Sequence, residues 1–268
     1  MKTFHEAPIA YFEKVQKLTD GDYALVHLFE TCPEYLEMFK KAVQSGREVI
    51  LDNSLFELRT KFDPARFAYW VKELQPTYYI VPDVWKESQA TIDSFFNFIN
   101  NEGEGLPGKR IGVAQGYSVK DTAKCYKAIA PYCDRIAINL DYSIFADKIL
   151  TDSGYSGIPT CQKMSYGRVH VLEELYRTGV IDTTKEHHLL GCGVPQEMDI
   201  YRKLGWDWIT SVDTCSPVMF GICNQAYPDE GVEYKLDSKM CDLIHHPYIE
   251  SQMELVEHNI KKFKEWCG

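Results

Sequence analysis

No apolar run in the 268 residues approaches the ~20 that a membrane helix needs, so no membrane association is expected. The opening, Met1-Lys2-Thr3-Phe4-His5-Glu6-Ala7-Pro8, lacks the apolar stretch of a secretory signal, and the expectation is a soluble cytoplasmic protein. Positive charge is scarce: 29 Lys and Arg stand against 39 Asp and Glu, a net charge of −10. A broad basic face that coats nucleic acid by neutralising phosphates is thereby excluded, and any nucleic-acid contact must come from a local patch. Tightly spaced cysteine pairs are also missing. The nine cysteines are odd in number and thinly spread, which fits reduced thiols better than a disulfide framework. There is no linker, sequence repeat or low-complexity tract. With 45% hydrophobic and 25% charged residues the chain can build a buried core, so disorder is excluded and a single domain over residues 1–268 is expected.

What is present is a recurrence of short apolar runs of strand length: Tyr23–Phe29, Glu48–Asp52, Tyr78–Asp83, Arg110–Gln115, Arg135–Leu140, His188–Gly193 and Trp208–Asp213. Amphipathic stretches fill the gaps at Pro33–Ser45, Pro64–Leu74, Glu87–Asn101, Val119–Pro131, Arg168–Thr178 and Gln196–Leu204, several opening with Pro or a Ser/Asp cap. Strand alternating with helix implies parallel pairing, and runs that are continuously apolar imply sheet covered on both faces. Seven visible units in a chain near the ~250 residues of a (β/α)8 barrel favour a TIM-type barrel over an open sheet. The eighth strand is either the Pro8–Phe12 segment or a place where the barrel is irregular. Pro217, Gly221, Pro228, Gly231 and Pro247 break the pattern from 214 to 248, so that stretch reads as an irregular excursion, closed by a final helix over Ile249–Trp266.

A parallel barrel keeps its chemistry at the C-terminal mouth, so the residues ending each run are the informative ones. They are Asp52-Asn53, Asp83, Gln115, Asn139-Leu140-Asp141, Gly191 to Gly193 and Asp213. An Asp after a strand is often only the cap of the next helix. Three that end apolar runs, with Gln115 and Asn139 in the same position on other strands, point instead to an acid/base or nucleophilic carboxylate site with amides to read a polar ligand.

These residues carry a resemblance. Leu51-Asp52-Asn53-Ser54-Leu55-Phe56 resembles the Asp-Ser-Gly-Gly-Phe segment of tRNA-guanine transglycosylases, and Ile111-Gly112-Val113-Ala114-Gln115-Gly116 resembles their Gly-Ile-Val-Gln-Gly strand. Leu189-Leu190-Gly191-Cys192-Gly193-Val194-Pro195 is similar to Leu-Met-Gly-Val-Gly-Thr-Pro, Val212-Asp213-Thr214-Cys215-Ser216-Pro217 to Phe-Asp-Cys-Val-x-Pro, and His258-Asn259-Ile260 to His-Asn-Leu. The motifs occur in the family's order, from about residue 23 to 260. The resemblance implies Asp213 as nucleophile on the sugar anomeric carbon and Asp52 as general acid/base toward the purine nitrogen. It implies Asp83 accepting from the ring N–H and exocyclic amine of a guanine-like base, and Gln115 donating to its carbonyl. The main chain of Asn139 and Leu140 would face the C7 group, with Phe56 stacking on the heterocycle and Leu190 packing on its other side. Asn53 and Gly191 count with these base-binding residues. The chemistry is coherent in itself, because base exchange with retained configuration needs two inversions through a carboxylate adduct and a second carboxylate to shuttle the proton.

The departures are also informative. Leu55 replaces the second glycine of the first motif, and Ile138-Asn139-Leu140 replaces a Gly-Gly-Leu strand end. The family's zinc motif, Cys-x-Cys-x-x-Cys followed by His, is absent. Cys215, Cys223 and Cys241 with His245 or His246 are the one set from which zinc could be bound, against the plainer reading of buried free thiols, and no cofactor is expected. In the tRNA enzymes the zinc element helps hold RNA. Its loss in a short acidic chain points to the compact DNA-directed members found in phages and bacterial modification clusters, which exchange guanine in DNA for a preQ0-like 7-deazaguanine; a phage-encoded copy would act in the host cytoplasm. The alternatives are exchange on tRNA, a barrel glycosidase on a free nucleoside, and a noncatalytic barrel subunit that binds a base or partner. Lys163 and Arg168, after the Arg135–Leu140 run, are the candidates for a phosphate-contacting rim, and Tyr155 and Tyr166 for base stacking. His187-His188 and His245-His246 have the chemistry of ligands or bases, yet such pairs are more often solvated or capping.

Overall fold

Helix starts in this chain are written locally. Pro33 and Pro64 sit in the first turns of Pro33–Gln44 and Pro64–Leu74, and the Asp63 carboxylate accepts from the Arg66 N–H at 2.7 Å. Ser118 caps Val119–Ile129 in the same way through the Asp121 N–H at 3.0 Å. Between such helices the apolar runs have one low-energy option, an extended conformation with both faces covered. The computed structural model describes residues 1–142, 159–236 and 238–268. Its strands are β1 (Lys2–Phe4), β2 (Asp22–Leu25), β3 (Val49–Asp52), β4 (Tyr78–Ile80), β5 (Lys109–Ala114), β6 (Arg135–Ile138), β7 (Glu186–Leu189) and β8 (Ile209–Asp213). All pair in parallel in the order β1-β8-β7-β6-β5-β4-β3-β2. A single parallel bridge from Phe4 to Gly21 links the two ends, and the protein is a nearly closed (β/α)8 TIM-type barrel.

The closing strand is therefore Lys2–Phe4. The segment Pro8–Phe12 is instead a 3-10 turn, Ile9–Tyr11, leading into the short helix Phe12–Gln16. Three residues are too few to carry a periodic signal, which is why β1 escapes sequence reading. The run Tyr23–Phe29 divides: β2 ends at Leu25 and a helix covers Val26–Thr31. A short apolar run cannot by itself distinguish a buried strand from a buried helix turn. The helix expected from Arg168 already begins at Thr160 and runs to Arg177. The excursion after β8 contains a helix at Ser216–Ile222 and a 3-10 turn at Met240–Leu243, and the final helix spans Glu250–Cys267. Tyr155 lies outside the described residues. All nine cysteines are free thiols, and no helix among the described residues is long and apolar enough to cross a membrane.

The N-terminal end of the barrel is plugged by Arg135. Its guanidinium reaches Glu48 at 3.2 Å and Glu186 at 2.7 Å and lies 4.0 Å over the Tyr78 ring. Access to the barrel interior is thus from the opposite, C-terminal end. Closure depends on Gly21: a Cβ there would stand 2.2 Å from the Phe4 ring and 2.7 Å from the Glu48 carbonyl oxygen. Gly21→Ala is expected to destabilise the fold by about 1–3 kcal/mol through overpacking, measured as a lowered urea midpoint with an unchanged m-value.

Candidate active site

The residues that end the strands meet in a cavity of about 120 Å³ at the barrel mouth. β3 ends on Asp52 and β8 on Asp213, while Glu6, Asp83, Gln115, Asn139, Leu190 and Gly191 follow other strands by one to three residues. All ten residues expected to act on a sugar or base, namely Asp52, Asn53, Phe56, Asp83, Gln115, Asn139, Leu140, Leu190, Gly191 and Asp213, line this one cavity. Its volume is below the range typical of drug-sized sites, ~300–1,000 Å³, and suits a single planar heterocycle.

One wall is an amide–carboxylate array. Asp83 accepts from Asn53 Nδ2 at Oδ1 and from Gln115 Nε2 at Oδ2, each at 2.8 Å. Gln115 Oε1 accepts the Lys86 N–H at 2.9 Å, which fixes the amide orientation, and its second N–H remains for a ligand. Asn53 also donates to the Val81 carbonyl at 3.3 Å, so its amide holds Asp83 in place. Burial raises the Asp83 pKa, against the two amide hydrogen bonds that favour the charged form.

The other wall is acidic. Asp52 accepts the Tyr23 hydroxyl at 3.1 Å and the Ser54 N–H at 2.7 Å. Burial, reinforced by the charge of Glu57, pushes its pKa well above the usual carboxylate range. Burial does the same to Glu6 and raises Glu57. Asp213 accepts at Oδ1 from His188 Nε2 and from the Gly191 N–H, each at 3.0 Å. Gly191 has φ 63°, the left-handed conformation that lets its N–H turn toward Asp213. Three buried polar atoms of cavity-lining residues, Glu57 Oε2, Trp85 Nε1 and Asn139 Nδ2, have no partner among the described residues. Unsatisfied buried groups gathered in one place are what a ligand site presents.

Aromatic and cationic side chains gather at the mouth of this cavity. Arg59 lies 4.4 Å over both the Phe56 and Trp85 rings, with Phe56 43% exposed. Lys235 stands 5.8 Å from the Phe56 ring, and Lys239 donates to the Glu57 carbonyl at 3.1 Å. A second cavity of about 390 Å³ adjoins the first across Glu6, Phe56, Glu57 and Lys235.

Of the two expected rim residues, Arg168 is buried away from any phosphate. Arg168 is fully buried: its Nε and Nη2 pair with Glu197 at 2.6 and 3.0 Å, and Nη1 and Nη2 donate to the Leu190 and Gly191 carbonyls at 2.9 and 3.0 Å. Because the helix starts at Thr160, position 168 is in its interior facing the barrel, and Arg168 cannot contact phosphate. Its work is to hold the loop after β7. Lys163, on the same helix, is half-buried, and its neighbours Thr160, Cys161 and Met164 line the second cavity. Among the described residues no three His, Cys, Asp or Glu side chains gather as a metal site requires, so Cys215, Cys223, Cys241 and His245 or His246 do not form one.

Sequence reading missed Glu6, Tyr23, Glu57, Trp85 and Lys235, and named His188 only within a pair read more readily as solvated or capping. The available signal was position: Glu6 two residues past an unseen strand and Trp85 two past Asp83. No protein-family model matches the chain, and no curated protein matches it.

Two outcomes follow from this geometry. Arg168→Met, which strands the Glu197 charge, is expected to cost about 3–5 kcal/mol in urea denaturation, and the Arg168→Met/Glu197→Leu pair to recover most of it. Carboxyls whose folded pKa is raised bind more protons folded than unfolded, so they favour the fold at low pH and this contribution is lost as pH rises through the folded value. Asp52→Asn, neutral at every pH, is therefore expected to raise Tm at pH 7 and to flatten the fall of Tm between mildly acidic and neutral pH.

Proposed function

We propose that the protein exchanges guanine in DNA for a preQ0-like 7-deazaguanine through a covalent Asp213–glycosyl intermediate. The observation that carries this reading is a one-heterocycle cavity lined together by two carboxylates, Asp52 and Asp213, and by the Asp83–Gln115 array. A guanine edge offers N–H donors and a carbonyl acceptor in a row, which a carboxylate beside an amide complements. Ser54 stands where the resembling motif has its first glycine, and it takes the left-handed conformation, φ 60°, that glycine favours.

In the first step an Asp213 oxygen lone pair bonds to the anomeric carbon as the bond to guanine N9 breaks. The departing N9 takes the bond pair and receives the Asp52 proton. In the second step Asp52 removes the N9 proton of the incoming base, whose nitrogen attacks the same carbon and releases the Asp213 carboxylate. The raised Asp52 pKa supports its role as the acid of the first step. A base must leave its stack to enter so small a cavity. The exposed Phe56 and Arg59, with the half-buried Trp85 beside them at the mouth, suit the stacking and phosphate contacts of a strand, which favours a polymer over a free nucleoside. The sequence lacks the cysteine motif of the tRNA-directed enzymes, which favours DNA over tRNA.

Incubation of the protein with DNA or tRNA and labelled guanine or 7-deazaguanines, followed by denaturing electrophoresis, tests the reading. Exchange into DNA is expected, with a protein–DNA adduct that disappears in Asp213→Asn and exchange lowered about 10⁴-fold or more. Asp83→Ala is expected to weaken use of guanine about 10- to 100-fold or to alter base choice. A wild-type protein that puts no base into any DNA or tRNA overturns it; incorporation into tRNA alone moves the substrate to RNA.

A further inference from the structure

His187 and His188 are neighbours in sequence with opposite fates. Register along β7 and β8 slips between them: His187 pairs with Ile209, and His188 with Ser211. Such an irregularity re-aims side chains, and it occurs here beside the candidate active site. His187 turns to the helical layer, where it stacks on Tyr126 with the rings 6° from parallel and its Nε2 lies 2.9 Å from the Tyr126 hydroxyl. His188 turns into the barrel and is completely buried. Its ring stacks on Tyr23, 15° from parallel, and meets the Phe4 edge.

Both ring nitrogens of His188 are engaged. Nε2 lies 3.0 Å from Asp213 Oδ1 and Nδ1 lies 2.9 Å from Ser211 Oγ. An ionised carboxylate only accepts hydrogen bonds, so the Nε2 facing it must carry the hydrogen. Burial lowers the His188 pKa, against the pull of Asp213, which keeps the ring neutral and leaves Nδ1 as an acceptor from the Ser211 hydroxyl. Ser211 precedes Asp213 by two residues on β8, so the period of the strand puts both side chains on the same face. The Gly191 N–H also binds Oδ1. Both donors to Asp213 thus fall on one oxygen, and the described residues place none on the other.

We infer that His188 is a positioning residue for the transfer step: as the Nε2–H tautomer selected by Ser211, it shares Asp213 Oδ1 with the Gly191 N–H and presents Oδ2 as the attacking oxygen. This rests on the base-exchange reading. The bond to the anomeric carbon forms from an Oδ2 lone pair, while Oδ1 stays hydrogen-bonded throughout and no proton leaves His188. Loss of the Nε2–H lets the carboxylate rotate, so fewer encounters have the oxygen aligned, while the base-binding wall at Asp83 and Gln115 is untouched.

The experiment compares wild type with His188→Leu, His188→Gln and Ser211→Ala, measuring single-turnover adduct formation on DNA and equilibrium binding of free guanine. His188→Leu is expected to slow adduct formation about 100-fold with guanine affinity within about twofold of wild type. His188→Gln restores an N–H donor and is expected to regain at least tenfold of that loss. Ser211→Ala is expected to lose about tenfold. Adduct formation at the wild-type rate in His188→Leu overturns the inference, as does a parallel loss of guanine binding and adduct formation in all three variants. A readout free of catalysis is the ¹⁵N spectrum of the histidines: a neutral Nε2–H tautomer for His188 at pH 7 supports the assignment, and an Nδ1–H or doubly protonated ring overturns it. If no base is exchanged by the wild type while that tautomer is found, the function fails and the His188 arrangement stands.

Discussion

Eight parallel strands that close on themselves must all deliver their last residues to the same rim. Everything distinctive in this protein follows from that constraint. Asp52, Asp213, Gln115 and Asn139 are separated by scores of residues in the chain, yet each ends or follows a strand and so meets the others in one cavity. The opposite end, where the strands begin, is sealed by Arg135 between Glu48 and Glu186. One end of the barrel is an ion-paired plug, and the other collects acid without enough base to match it.

That imbalance sets the electrostatics of the mouth. Glu6, Asp52, Glu57 and Asp213 line one small cavity, and Lys235 is the cation that lines it with them. Burial and mutual repulsion raise the pKa values of Glu6, Asp52 and Glu57, so the cavity stores a proton at little further cost. Asp83, although buried, is held by two amides. Burial raises its pKa as well, but the two amide hydrogen bonds oppose the rise by favouring the charged form, so carboxyls in one cavity are tuned by different neighbours. The two acids proposed for transfer are linked through one aromatic contact, since Tyr23 donates to Asp52 and its ring stacks on His188, which binds Asp213.

Seven of the eight strands were legible because each is a short apolar run bounded by polar or glycine residues. β1 was not, because three residues carry no period, and its place is decided by pairing with β8 and by the close approach of Phe4 to Gly21. The acids and amides expected at the mouth were legible for the same reason as the strands: a residue that ends a barrel strand has only one place to go. Glu57 and Phe56 show the difference. Phe56 was visible through a motif, whereas Glu57 beside it reaches the cavity only because a one-turn helix, entered through left-handed Ser54, turns it inward. Arg168 failed for a similar reason, since its helix begins eight residues earlier than the amphipathic pattern shows and converts a presumed rim cation into a buried one.

By itself the sequence determined the barrel and the set of polar residues that it would bring together, because strand periodicity and parallel order are local properties whose sum admits few closed arrangements. Tertiary structure alone decided which hydrogen bond each of those residues makes. His187 and His188 face opposite ways by the strand's own alternation, but that His188 lies beside Ser211 turns on one register slip against β8, and whether Arg168 meets solvent or Glu197 turns on where a helix begins. Such choices depend on which surfaces are in contact across the fold, and no stretch of chain contains both partners.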